Sequence, residues 1–349
     1  MGEKYIKILL IMAISVFTVF FPLSAQEEGE PEIITKKAIL YVLEDSVSKY
    51  QIGIMEINGT AKRVLTKSGN NWAPAVSPDG QKIAFYSDRS GFANLWVMDH
   101  NGRNQKQLTY NKENIIRIDL RNRGQIEWDK ESKFIFFIRT GDIWKIDTAG
   151  ETPTGVTLYH DITSFRMSPD KSFILFSREK TKRHNGLWTM QVTGINPRQV
   201  AESGIINPVF DWSVNKTIVY FHNKGISTVT YYGTERKFIR ETFYLDNDIA
   251  WCRKNPDISQ NPIAFLSDEK GVPNIWLMDH DGKNPRQVTD KGGFSPFWFP
   301  DGENLLYVED FDIYKINIAG KNKERLTYYF RSFYPMVADI KTEKEQEAK

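Results

Sequence analysis

Few residues of this chain have the type and spacing to do chemistry. There are five histidines, His100, His160, His184, His222 and His280. Histidine is both a metal ligand and an acid–base group. His160, His184 and His222 fall in three successive stretches of the chain, where converging loops could bring them together. No HExxH spacing supports a metal site, so none is assigned. His100 and His280 occupy equivalent turn positions and read as exposed turn residues. Asp99 and Asp279 recur in the same way, with no second acid beside either to form a catalytic pair. Cys252 is the single cysteine, which leaves no intramolecular disulfide and no cysteine-based metal site. No Gly-x-Ser-x-Gly nucleophile elbow is present. What remains is electrostatic. Arg117, Arg121 and Arg123 lie in IRIDLRNR, and Lys180, Lys182, Arg183 and His184 lie in REKTKRH. Clusters of this kind suit a carboxylate-bearing partner, and no cofactor is implied.

The elements that must carry these residues are written as a repeat. LWVMDHNGRNQKQLT from Leu95 matches IWLMDHDGKNPRQVT from Ile275, and weaker copies begin at Gly53, Ile143, Leu187, Ile226 and Ile313. Their turn glycines, Gly59, Gly102, Gly150, Gly194, Gly233, Gly282 and Gly320, are 43, 48, 44, 39, 49 and 38 residues apart. A period of roughly 40–45 with strand-like content marks a β-propeller. Within 72–109 the pattern reads as four strands. Ala73–Val76 ends at the tight turn Ser77-Pro78-Asp79-Gly80. IAFYS from Ile83 and LWVMD from Leu95 follow, the latter ending at the hairpin turn Asn101-Gly102. A short polar strand, Lys106–Thr109, suits an outer edge. The first unit lacks a first strand, and the chain closes with SFYPMVADIKTEK from Ser332. The expected fold is therefore all-β: a seven-bladed propeller of four-stranded antiparallel blades, closed by a C-terminal strand that completes blade one. Six blades is the alternative count. Trp96, Trp144, Trp188 and Trp276 share one third-strand position, and Trp128, Trp212, Trp251 and Trp298 one first-strand position. Recurrence at equivalent sites assigns them to packing between blades.

The formal net charge is +2, too small to neutralise a phosphate backbone, which argues against nucleic acid. Lys4 and Lys7 precede an apolar run from Ile8 to Phe21 that ends in Pro22-Leu23-Ser24-Ala25, the form of a secretory signal. The expected organisation is a signal peptide over 1–25, an acidic mobile linker over 26–37, the propeller over 38–340 and a charged tail over 341–349. The expected location is periplasmic or secreted, as a monomer with no stable membrane insertion after signal cleavage.

The string SPDG…IAFYSD…LWVMD…G…QLT resembles the propeller repeat of TolB-like proteins, from about Ala38 to Asp339. The resemblance implies an exported propeller that acts as a protein-binding scaffold in the cell envelope. It covers the propeller part alone: seven units are counted where the family's namesake has six, and Glu27–Lys37 is too short for that protein's preceding α/β domain. Similar repeats precede the hydrolase domain of prolyl-oligopeptidase-like enzymes. They also resemble the seven-bladed oligogalacturonate lyases, whose metal is held mainly by histidine.

Strand order places the Ser-Pro-Asp-Gly and Asn-Gly turns on one face of the ring. The second-to-third-strand connections and the inter-blade connections lie on the other. Connections on this second face vary most. Ile83 to Trp96 spans 13 positions, Phe173 to Trp188 spans 15 and Ile218 to Ser227 only 9, while Thr109 to Trp128 spans 19. Binding residues tend to sit on variable loops of a rigid frame. The two basic stretches, read as successive inter-blade regions, are thus expected to form an anionic-partner groove. The expected function is a non-enzymatic scaffold binding a protein or an acidic envelope polymer. The alternative is a polysaccharide-lyase-like enzyme with its site in the central channel.

Overall fold

A computed structural model of the chain describes residues 33–113, 125–150, 152–179, 186–202, 209–242, 248–328 and 331–343. They form seven four-stranded antiparallel sheets, each strand bonded to its neighbour in sequence except at blade one. Blade two shows the plan. Its innermost strand is Asn71–Val76, its second Lys82–Ser87, its third Asn94–Asp99 and its outer strand Lys106–Gln107. At the first turn Ser77 Oγ donates to Asp79 Oδ1 (2.5 Å) and accepts the Lys82 N–H (2.9 Å). Gly80 holds φ 72°, and any side chain there would meet the Asp339 carbonyl. The same serine staple recurs from Ser168 to Asp170 and from Ser213 to Asn215, each at 2.6 Å. The eroded sequence of the latter therefore keeps the turn. Asp99 and Asp279 accept from the amides of Asn104 and Asn284 (2.6 and 2.7 Å), which makes them the turn formers that their recurrence suggests.

Blade one is closed as the sequence indicates. Ser332–Glu343 is its innermost strand and pairs antiparallel with Ile33–Glu44, which in turn pairs with Tyr50–Glu56. The Lys341 N–H reaches the Gly80 carbonyl of blade two (3.1 Å), so the closing strand also ties the neighbouring blade. The insertion between the first two strands of blade six folds as one turn of 3-10 helix, Ile258–Gln260. Its N-terminus is capped by Asp257, which accepts the Ser259 N–H. Among the described residues no helix is long and apolar enough to cross a membrane.

The core lies between blades rather than in one central body. Alternate residues of each second and third strand face the preceding blade, the rest the following one, and the clusters join neighbours two by two. Trp128, Trp212, Trp251 and Trp298 each end an innermost strand. Three of these indoles donate back to the innermost strand of the preceding blade: Trp128 to Ala75, Trp298 to Ala250 (both 2.9 Å) and Trp212 to Arg166 (3.3 Å). A buried polar group needs a partner, and here that need fixes one blade against the next.

Candidate functional site

The seven blades can be laid over one another by their ladders. Tyr41, Phe85, Phe137, Phe176, Tyr220, Phe265 and Tyr307 stand on the second strands at one level. Opposite them on the third strands are Gly53, Trp96, Trp144, Trp188, Ser227, Trp276 and Tyr314. The side chains of this pair face the preceding blade. In blades two, three, four and six the pair is a phenylalanine and a tryptophan beneath a cation. Arg89 lies 4.7 Å from the Trp96 ring, Arg139 5.3 Å from Trp144, Arg178 5.1 Å from Trp188 and Lys270 5.4 Å from Trp276. In blade seven Lys323 takes this role 4.8 Å from Tyr314. The four indole N–H groups have no acceptor among the described residues, so packing and the cation hold these rings.

Blade five breaks the column at Ser227, and a cavity of about 570 Å³ lies there against blade four. It is lined by Tyr220, Ser227 and Phe238, by His222, whose ring packs against both Tyr220 (5.7 Å) and Phe238 (5.8 Å), and by Asn223, Lys224 and Arg236. Glu202 of blade four completes it. Arg236 is held by a bond from its guanidinium to the Val200 carbonyl (2.9 Å). It occupies the position of Lys323, two residues before the outer-strand partner of the column. His222 occupies the position of Arg139 and Arg178. Its Nδ1 accepts the Lys224 N–H (3.3 Å), which leaves the proton on Nε2 for Ser227 Oγ (2.8 Å). The imidazole thus donates to the serine and is not placed as its base. Burial pulls the His222 pKa below its ordinary value, and Lys224 and Arg236 act in the same direction against a hydrogen bond from Asn223. Burial also raises the Tyr220 phenol, opposed by Arg236 and Ser227. The result is a recess lined by aromatic rings and basic side chains.

A second departure borders the same seam. In blades one, two, three, six and seven a buried threonine ends the outer strand and staples the start of the third. Thr109 Oγ accepts the Leu95 N–H (2.8 Å) and donates to the Asn94 amide oxygen (3.1 Å). Thr66, Thr157, Thr289 and Thr327 do the same with Gln51, Asp142, Asn274 and Asp312. Blades four and five have Gly186 and Gly225 in place of the amide or acid, and Ala201 and Arg240 in place of the threonine. Both glycines hold positive φ (149° and 136°), and a side chain on either would strike the carbonyl of Ala201 or Arg240. Their outer strands instead run on as ladders, Arg198–Ala201 and Lys237–Glu241, against two residues in the other blades.

The residues singled out from the sequence are distributed differently. Arg117, Arg121, Arg123, Lys180, Lys182, Arg183 and His184 lie outside the described residues. The flanking strands correct one assignment. Residues 180–185 join the second and third strands of blade four, Phe173–Arg178 and Gly186–Gln191, and are not an inter-blade connection. Arg178, at their threshold, is buried and bidentate to Asp161 (2.8 and 2.9 Å). His160 and His222 have separate partners, Asp142 (2.6 Å) and Ser227, and among the described residues no cluster of metal-ligand type occurs. On the innermost strands Asp211 is taken by Arg253, Arg166 and the Trp251 N–H, and Glu127 by Lys171 (2.7 Å). These acids tie blades together. Sequence reasoning missed the Ser227 cavity. It aligned Ser227 with the tryptophan column, but only to measure a loop, and the tryptophan-to-serine change was the available signal.

Fold and seam define a class: a closed seven-bladed propeller, here with a recess at the seam of blades four and five. The pattern of the TolB beta propeller domain matches residues 35–216, just over half of the chain. The protein belongs to that family. The Tol-Pal system protein TolB of Rhizorhabdus wittichii is 34% identical over 61 residues, 17% of this chain and 14% of that protein. The TolB of Zymomonas mobilis is 31% identical over 61 residues, covering 17% of this chain and 13% of its own length. Matches therefore span a small part of these relatives. The crystal structure of TolB from Acinetobacter baumannii superposes with a TM-score of 0.55 at 15% identity, over 86% of this chain and 66% of that one. An oligogalacturonate lyase in complex with manganese superposes at 0.56 with 14% identity, over 84% and 85%. At such identities the likeness is one of fold.

Proposed function

We propose that this chain is an exported, non-enzymatic propeller scaffold that works in the periplasm as a monomer and binds a polypeptide or an acidic envelope polymer. The observation that carries the reading is the recess at Ser227: aromatic rings and basic side chains, built on strands that the ring holds rigid. Family membership and the place of the TolB relatives in a Tol-Pal system support a protein partner. The basic stretches around Arg117, Arg121, Arg123 and around Lys180, Lys182, Arg183, His184 extend the same preference for acidic partners along the second face. His222, Asn223 and Lys224 lie in a second-to-third-strand turn of that face.

The test is capture by the immobilised full-length chain from envelope extract, compared with a variant carrying Glu at Arg117, Arg121, Lys182 and Arg183. Capture is expected to be lost while the melting temperature stays close to that of the wild type. Unchanged capture would remove the basic face from the proposal. Manganese-dependent cleavage of polygalacturonate by the purified chain would overturn the non-enzymatic reading itself.

A further inference from the structure

We infer that the recess at Ser227 is a socket for an aromatic side chain, indole foremost, presented by the partner polypeptide. The inference rests on the scaffold reading above and names what the scaffold grips. The molecule itself shows what belongs in this place. At the same level of the ladder, facing the preceding blade, four sister blades hold an indole and one a phenol, each beneath a cation. Blade five keeps the rest of that arrangement. Tyr220 is the aromatic partner across the strand pair, Arg236 is the cation in the position of Lys323, and His222 stands where Arg139 and Arg178 stack. The ring that these groups would clasp is missing.

Blade one shows that loss of the ring does not by itself leave a hole. There the column residue is Gly53, and its place is filled from within: a side-chain carbon on Gly53 would lie 2.6 Å from the Tyr41 ring. Blade five is refilled only in part: the His222 imidazole bonds Ser227 Oγ (2.8 Å) and lies 5.7 Å from the Tyr220 ring and 5.8 Å from the Phe238 ring. Its cavity of about 570 Å³ falls inside the roughly 300–1,000 Å³ of sites that take a ligand. It opens beside Phe238, a half-exposed ring that can cover the residue next to the anchor. The rim has Lys224 and Arg236 against one acid, Glu202, so an aromatic flanked by aspartate or glutamate fits best. Rigid aromatic anchors buried in a pocket are the usual energetic centre of protein interfaces. The rewritten staples at Gly186 and Gly225 are independent of Ser227 and fall on the same two blades, which marks this seam as the place where the repeat has been altered.

The probe is a capped pentapeptide, Gly-Asp-Trp-Asp-Gly, with 5-fluorotryptophan so that fluorine NMR reads it apart from the nine tryptophans of the chain. Its control has leucine at the centre and is read by calorimetry. The fluorinated peptide should bind the full chain about tenfold or more tightly than the leucine control, the scale of one good anchor. Ser227→Trp should fill the socket, abolish peptide binding and raise the melting temperature. Should Ser227→Trp fold poorly, Arg236→Gln and Phe238→Ala, both on the rim, are each expected to weaken binding about fivefold. Equal affinity for the two peptides, or binding that survives Ser227→Trp or both rim changes, overturns the socket. Because the peptide needs no physiological partner, the two readings fail separately. A false socket leaves envelope capture intact in Ser227→Trp, and a false scaffold leaves peptide binding intact without capture.

Discussion

Blades five and six are built on the same ladder and differ in how they meet the blade before them. Blade six sets Trp276 against Phe265 with Lys270 above the indole, and staples its outer strand through Thr289 and Asn274. Blade five has Ser227 against Tyr220, no threonine staple, and a longer outer ladder anchored at Gly225. One outer strand is held by side chains, the other by backbone. In a repeat fold each unit leans on its neighbours, so a single blade can give up an indole if it regains order elsewhere. Lys237–Glu241 is where blade five regains it, and the space left over is available to a ligand.

The comparison can be broken first at Trp276. Trp276→Ser gives blade six the residue of blade five without its compensating ladder. Loss of a buried indole that the surroundings cannot refill costs about 3–5 kcal/mol, to be read from chemical denaturation. A loss under about 1 kcal/mol would mean that the indole column does not hold the seams. Next comes Gly225→Asn, which puts back the residue found at this place in blades two and six. With Arg240 where threonine should be, and positive φ enforced, it is expected to cost about 1–3 kcal/mol. A neutral result would show that the staple and the ladder are interchangeable.

The smallest effect concerns His222, which stands where Arg139 and Arg178 stand in blades three and four. Its pKa is lower in the fold than in the unfolded chain, so between the two values the unfolded state holds more protons. Wild-type stability should therefore fall as the pH drops through the ordinary histidine range near 6.5. His222→Gln should lose that component. A gap between the two melting curves that does not change from pH 8 to pH 5 would show that His222 is not desolvated in the recess.

Most of the fold was legible because turns write their chemistry locally. Ser77-Pro78-Asp79-Gly80 and Asn101-Gly102 announce hairpins wherever they stand, and Ser332 onward reads as a strand without a unit to follow. Ser213-Val214-Asn215-Lys216, poor in matching letters, still carries the two atoms that the turn needs. The site was legible only in part. Ser227 and Gly53 are alike as letters, both small residues in a tryptophan column. One is covered by Tyr41, the other by the His222 imidazole with a recess beside it, a difference that exists only once strands are packed. The exchange of Asn or Asp for Gly186 and Gly225, with Ala201 and Arg240 in place of threonine, was visible in the aligned copies. Its meaning required the ladder. Residues 180–185 fall inside the Phe173 to Trp188 connection, so strand order already set them within blade four, and reading them as an inter-blade stretch overlooked it.

The pairing of Ile33–Glu44 with Ser332–Glu343 also sets a timetable. The first strand of the ring to leave the ribosome waits on its channel side for the last. Until that strand arrives, blade one exposes an unpaired edge, the kind of surface that recruits stray strands. Closing so long a loop comes late in folding, since the entropy lost in bringing distant segments together is recovered only when they pair. A chain interrupted in transit therefore cannot pass for a finished ring, and completeness of delivery becomes a condition for the folded state.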